Sequence, residues 1–162
     1  MIIPREILKS AAQCCGKGGT KRRFSTDRVE LKRLAEERCQ VASTDSKLAL
    51  VVRWKEESHE EIPGCVGVVE TAADFRALVS SDTAEKLGKS KIGMKSPKPL
   101  LRNIFLNEQQ ESPPSFAVTD LDSTEKFDER ALEGEFPDFD RFWPEWGRPR
   151  TLLVNARLLI DL

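Results

Sequence analysis

Four cysteines, one histidine and several clustered carboxylates are the side chains of this sequence that could support catalysis or metal binding. Cys14, Cys15, Cys39 and Cys65 show no Cys-x-x-Cys spacing, and His59 lies in the polar run ESHEE. A structural zinc needs converging nitrogen and sulfur ligands from paired motifs. A hydrolytic triad needs a nucleophile, a base and an orienting acid. Neither set is assembled here. Adjacent Cys14 and Cys15 cannot easily bridge each other, so the cysteines read as free thiols in a reducing, cytoplasmic compartment. GKGGTK (Gly16–Lys21) has phosphate-loop glycines, but it follows a helical pattern and lacks the Gly-Lys-Ser/Thr that opens a helix; it reads as a flexible basic loop. DLDSTEKFDE (Asp120–Glu129) begins like a calcium loop. Glu125 stands where the sharp-turn glycine belongs, and Ala131 where the bidentate acid belongs. Asp138 and Asp140 could form an acid–base pair and read instead as an exposed acidic loop. No enzyme, metal site or cofactor is implied.

The cations carry more information. The net charge is −1, yet Lys17, Lys21, Arg22 and Arg23 crowd one stretch, and Lys86, Lys89, Lys91, Lys95 and Lys98 another. Acids gather at Glu56–Glu61 and from Glu108 onward. A chain that is neutral overall but polarised in blocks can still present a basic face to phosphates. Arg5, Lys9, Lys17, Lys21, Arg22, Arg23 and Arg76 are point charges on long stems. Placed on amphipathic helices and an adjoining loop, they suit salt-sensitive contact with a nucleic-acid backbone without base reading.

The elements that must position these residues follow from periodicity. The hydrophobic fraction is 39% and the charged fraction 33%, which suits a globular domain and not a disordered chain. No run reaches the ~18 apolar residues of a membrane span. Ile7, Leu8, Ala11, Ala12 and Cys15 share one face of a helix entered at Pro4 and ended by Gly16, with Arg5, Lys9 and Gln13 on another face. Arg28–Leu34, Arg38–Ser43 and Lys47–Trp54 read as strands, the last two paired through Thr44-Asp45-Ser46; KLALVVRW, the most apolar segment, is expected to be a central strand. Cys65–Val69 reads as a short strand. A second helix is expected from Thr71, with Asp74 in its cap and Ala72, Phe75, Leu78 and Val79 as its stripe. Gly88–Pro99 reads as a long loop, and strands are expected at Leu100–Leu106, Phe116–Leu121 and Lys126–Leu132. Thr151–Val154 followed by Asn155 and an apolar helix repeats the pattern of the opening residues, as the first elements of a following domain would.

GEFPDFDRFWP (Gly134–Pro144) remains to be explained, with Phe136, Phe139, Phe142 and Trp143 set beside two prolines. Together with CQVASTDSKLALVV (Cys39–Val52), it resembles the bacterial DNA polymerase III β sliding-clamp family. There ATDGHRLAV is a typical strand–turn–strand and GxFPDYxRVxP a typical exit from the sheet. The order of helices and strands also resembles that family's central domain over 1–149, with 150–162 as a linker strand and the start of the next domain. The resemblance implies an α+β, DNA-clamp-type domain with two helices packed on antiparallel sheet. It implies a non-enzymatic, homo-oligomeric ring around duplex DNA, held without sequence preference. Polymerases or other clamp-binding proteins would dock a short peptide in a cleft. Carried over position by position, the cleft residues are Thr44, Lys47, Leu48 and Pro144. Under this reading the cations Lys9, Lys17, Lys21, Arg22, Arg23 and Arg76 described above are the DNA-facing residues. Phe136 and Phe139 would anchor the exit turn, with Trp143 and Trp146 enlarging the docking surface. Where the family has Gly-His-Arg, this chain has only Ser46-Lys47, and lysine lacks arginine's planar fork. The alternative is a clamp-fold interaction module that no longer encircles DNA.

Overall fold

The computed structural model describes residues 1–16, 25–35, 37–56, 63–66, 75–107, 114–129 and 134–139. The chain runs β1 (Ile2–Ile3), α1 (Arg5–Gln13), β2 (Arg28–Arg33), β3 (Arg38–Thr44), β4 (Ala49–Lys55), β5 (Arg76–Ser80), α2 (Ser81–Lys89), β6 (Ile104–Asn107), β7 (Ser115–Thr119) and β8 (Thr124–Asp128). Short 3-10 turns occupy Gly64–Val66 and Pro99–Arg102. The strands form two antiparallel four-stranded sheets, ordered β1-β6-β7-β8 and β4-β3-β2-β5. The α+β class with two helices on antiparallel sheet holds.

The order contains a duplication. β1-α1-β2-β3-β4 is followed by β5-α2-β6-β7-β8, and each half lends its first strand to the other half's sheet. The helices begin at Arg5 and Ser81, the strands after them at Arg28 and Ile104, and the next strands at Arg38 and Ser115. This is a near-constant step of about 76 residues, a repeat of structure with little repeat of letters.

One core lies between the helices and the inner faces of both sheets. Leu8 and Ala11 of α1 and Ala84 and Leu87 of α2 meet Val29, Leu31, Val41 and Val79 of one sheet and Ile3, Ile104, Leu106, Phe116 and Val118 of the other. These strand residues alternate, so their neighbours face outward. Phe105 and Ala117 are covered outside by Val66 and Leu100, and Ala42 and Leu78 by Phe136. Half-buried Glu56 links the sheets: its carboxylate accepts from the Arg33 guanidinium at 2.7 Å and from the backbone N–H of Ile2. Trp54 donates its indole N–H to the Ile2 carbonyl at 3.3 Å.

Three expectations are corrected. The apolar residues Phe75, Leu78 and Val79 belong to β5 and its approach, not to a helix from Thr71; α2 starts at Ser81, where the Ser80 hydroxyl accepts from the Thr83 N–H at 3.1 Å. β4 is an edge strand with half-buried residues: Leu50 and Trp54 reach the main core on one face, and Val51 packs against the Phe136 cluster on the other. Gly64–Val66 is a 3-10 turn in place of a strand, and Leu100–Arg102 turns before β6 begins. The proposed boundary after residue 149, the closing strand–helix of 151–162, Asp74, His59 and Asp140 lie outside the described residues.

Candidate functional site

The β3–β4 turn is fixed by two side chains at its start. Thr44 Oγ1 donates to the Leu48 carbonyl at 2.6 Å and accepts from the Ser46 N–H at 3.0 Å. Asp45 Oδ1 accepts from the N–H groups of Leu48 and Lys47, both at 2.7 Å. These donors hold the Asp45 carboxyl below its usual range, Leu48 having the largest effect. Ser46 sits at φ 80°, in the left-handed region that such local bonds can stabilise. Locked this way, the turn presents Lys47 and Leu48 to solvent, and Leu48 is 39% exposed.

Thr44 lies two residues beyond Ala42 on β3, hence on the same outer face. That face carries the described part of the exit segment. Phe136 is buried with Ala42 and Leu78, Val51 and Phe139 each pack against that cluster, and the two phenylalanine rings meet edge to face with centroids 5.9 Å apart. The anchoring expected of both phenylalanines is therefore present. It seats the chain at Phe139 on the same outer sheet face as Thr44. Pro144, Phe142, Trp143 and Trp146 lie outside the described residues.

The basic residues divide. Lys9 is on α1, with its side chain 44% exposed and its ammonium 3.8 Å from Glu6. Arg5, expected on the same solvated stripe, is buried: its guanidinium donates to the carbonyls of Ser90 at 2.5 Å, Ile92 at 2.8 Å, Arg102 at 3.2 Å and Leu87 at 3.3 Å. It closes the C-terminal end of α2 and cannot reach a ligand. Arg76 is on β5, not on a helix. It pairs with Glu30 at 2.7 Å on the sheet face opposite the helices, which removes it from any surface the helices share. Lys17, Lys21, Arg22 and Arg23 lie outside the described residues, following α1 and Gly16. Lys86 and Lys89 are exposed on α2 and were missed as candidates because the second helix was placed too early in the chain. The signal for them was Ser80 with Asp82 and Thr83, a capping pattern just ahead of the lysines.

The thiols are chemically quiet. Cys14, Cys15 and Cys39 form no disulfide among the described residues, and burial pushes Cys15 up to about 12, with Cys14 and Asp27 adding to the effect. A thiol so rarely ionised is a poor nucleophile.

Two βαβββ halves, helices on one side and paired antiparallel sheets behind them, define an α+β domain of DNA-clamp type. Among solved structures, the chain is similar to the DNA polymerase III beta chain of Streptococcus pneumoniae, with a TM-score of 0.53 and 15% identity. The match covers 90% of this chain and 33% of that one, so this chain spans a third of the length of that protein. The likeness is one of fold. No family model matches the chain, and no curated protein matches it.

Proposed function

We propose that this chain is a non-enzymatic clamp-type scaffold that contacts duplex DNA without reading its sequence and docks replication or repair proteins through a peptide cleft. The observation that carries this reading is the shared architecture: the arrangement of helices and sheets matches a DNA polymerase III beta chain over nearly all of the described fold. The cleft wall is Thr44, Lys47, Leu48 and Pro144. Its support is the rigid turn that holds Leu48 outward, and the seating of Phe139 on the same outer sheet face as Thr44 on the way to Pro144. The helix side is the DNA-facing side, with Lys9, Lys17, Lys21, Arg22 and Arg23 as phosphate contacts. Lys86 and Lys89 join them, and Arg76 does not. Several copies would be needed to surround a duplex.

Titration against a mixed-sequence duplex at varied salt tests the DNA contact. Each phosphate neutralised contributes ~0.9 to the slope of log K against log salt. Reversing Lys17, Lys21, Arg22 and Arg23 to glutamate is expected to flatten that slope by about 3.6. An unchanged slope would falsify the assignment.

One observation favours a second reading. On the exposed helix faces, Lys9, Lys86 and Lys89 are matched by Glu6, Asp82 and Glu85, and two of the lysines are paired, Lys9 with Glu6 and Lys89 with Glu85. A helix face without net charge attracts DNA weakly. Under that reading the fold is a protein-interaction module that does not encircle DNA; it retains the peptide cleft and shows no salt-dependent duplex binding at all.

A further inference from the structure

The β7–β8 turn copies the β3–β4 turn bond for bond. Thr119 Oγ1 donates to the Ser123 carbonyl at 3.0 Å and accepts from the Leu121 N–H at 3.0 Å. Asp120 Oδ1 accepts from the Ser123 N–H at 2.7 Å. The third residue is again left-handed, Leu121 at φ 81° against Ser46 at φ 80°. Glycine or asparagine would take that position without steric cost, yet the sequence places a leucine there and leaves it 50% exposed.

A cleft of about 670 Å³ opens against this second turn, between Asp120 and Asp122 on one side and the segment Lys91–Pro97 on the other. Gly93 fixes its shape. At φ 72° it presses on the carbonyls of Leu101 and Thr119, where a Cβ would lie 2.1 and 2.6 Å from the two oxygens. The Lys91–Pro97 wall is held by the backbone contacts of Gly93 and by guanidinium bonds from Arg5 to the Ile92 carbonyl and from Arg102 to the Ser96 carbonyl, both at 2.8 Å, so the cleft exists before anything binds. Its floor is apolar at Met94 and Pro97, and Met94 is 44% exposed. Of the three large hydrophobic residues exposed among those described, Met94 lines this cleft, Leu121 lies in the turn between the lining residues Asp120 and Asp122, and Leu48 is at the first turn. Lys91 and Lys95 rim it and make no ion pair with another described residue; of the two acids on the opposite wall, the Asp120 carboxylate is committed to its own turn and Asp122 is exposed.

We propose that this cleft is a second docking site, for a short linear peptide of a partner protein that carries an apolar side chain flanked by an acidic residue. The apolar group covers Met94 and Pro97. The acid meets Lys91 and Lys95, which gives the site its charge preference. The adaptable methionine accepts more than one apolar shape, so the acid sets selectivity more than the apolar residue does. The parallel with the first turn rests on the peptide-cleft reading given above; the cleft itself, its exposed apolar floor and its lysine rim do not.

The test pans a random-heptapeptide phage library on the whole chain, then measures synthetic, fluorescein-labelled copies of the enriched peptides by anisotropy. The expected result is a set of peptides combining apolar and acidic residues. Their Kd should rise about tenfold on Met94→Glu and stay unchanged on Leu48→Asp. The double substitution Lys91→Glu with Lys95→Glu should reverse the preference from acidic to basic peptides, and it keeps the proposal testable if Met94→Glu disturbs the fold. Peptides that lose affinity on Leu48→Asp and ignore Met94→Glu would overturn this proposal and leave the first cleft standing. Peptides lost on Met94→Glu alone would sustain it with the first cleft in doubt. A library with no enrichment overturns it as well.

Discussion

A cation that looks solvated in a sequence can be buried in the structure, and Arg5 is the example. Its spacing with Lys9 and Gln13 marks a polar stripe on α1, but periodicity does not say what the stripe faces. Here Arg5 faces the end of α2. The guanidinium meets the Leu87 and Ser90 carbonyls at that helix end, and those of Ile92 and Arg102 beyond it, through a planar, many-donor head that lysine cannot copy. Burial lowers its pKa, yet arginine stays charged at any ordinary pH. Arg5→Lys should therefore cost about 2 kcal/mol, and Arg5→Ala somewhat more, as a fall in the urea midpoint at constant slope. A solvated arginine would move the midpoint by less than about 0.5 kcal/mol.

Asp45 and Asp120 make a second argument at this scale. Both carboxyls are held below the ordinary range by N–H donors of their turns. A carboxyl with a depressed folded pKa contributes stability above its unfolded pKa, and that contribution is lost as pH falls through the folded value. The melting temperature should decline as pH drops below about 4, the range of an unperturbed aspartate. Asp45→Asn with Asp120→Asn keeps an acceptor oxygen and removes the titration. Thermal melts from pH 5 to pH 2 should show a shallower decline in that variant, and equal slopes would contradict the assignment. These two turns were half legible in the sequence. Thr44-Asp45 stood out through its family resemblance, while Thr119-Asp120 was read as the end of a strand, with Asp120 opening a rejected calcium loop, because its hydrogen bonds and not its letters make it the twin of the first.

At the scale of elements, the contact between the helices decides how the core closes. Gly88 of α2 meets α1 at Lys9, where a Cβ would lie 2.8 Å from the Lys9 Cβ and 3.0 Å from its Cα. Backbone cannot yield as a flexible side-chain tip can. Gly88→Ala gains up to ~1 kcal/mol in helix propensity but forces the helices apart. Overpacking of this kind costs about 1–3 kcal/mol, so the net effect should be destabilising, read by chemical denaturation. A stabilised variant would mean that the helices separate freely. The same element shows why the fold was legible only in part. Strands β2, β3 and β7 and helix α1 alternate or repeat cleanly and were placed within a few residues. Helix α2 offers Ala84 and Leu87 as its buried stripe, a weak signal beside Phe75-Arg76-Ala77-Leu78-Val79, and so the helix was drawn over the strand. The apolar run of β4 promised a central strand, but hydrophobicity reports burial against the core and not the number of hydrogen-bonded neighbours.

The whole molecule raises the question of assembly. Among the described residues, β4 ends one sheet and β8 ends the other, each paired on a single side, by β3 and by β7. An edge strand presents unpaired backbone groups to any strand that can reach it. β8 is exposed along almost its whole length, and its sequence TEKFD alternates charges that temper random aggregation without blocking a matched partner. The other ends of the sheets are β1 and β5, and edges on different sheets of one domain permit head-to-tail contact, the type that closes into rings or runs on as filaments. A domain that binds phosphates only weakly gains most from closure, since a ring holds DNA by topology and not by the strength of each contact. The prediction is a concentration-dependent species several times the 18.3 kDa of one chain, seen by multi-angle light scattering. It should dissociate on Lys126→Pro, which removes a backbone donor that the β7–β8 register turns outward, away from β7. A monomer at every accessible concentration, with its peptide sites still occupied by ligand, would instead match the charge balance of the helix face, and the fold would then serve as a docking module that never closes around a duplex.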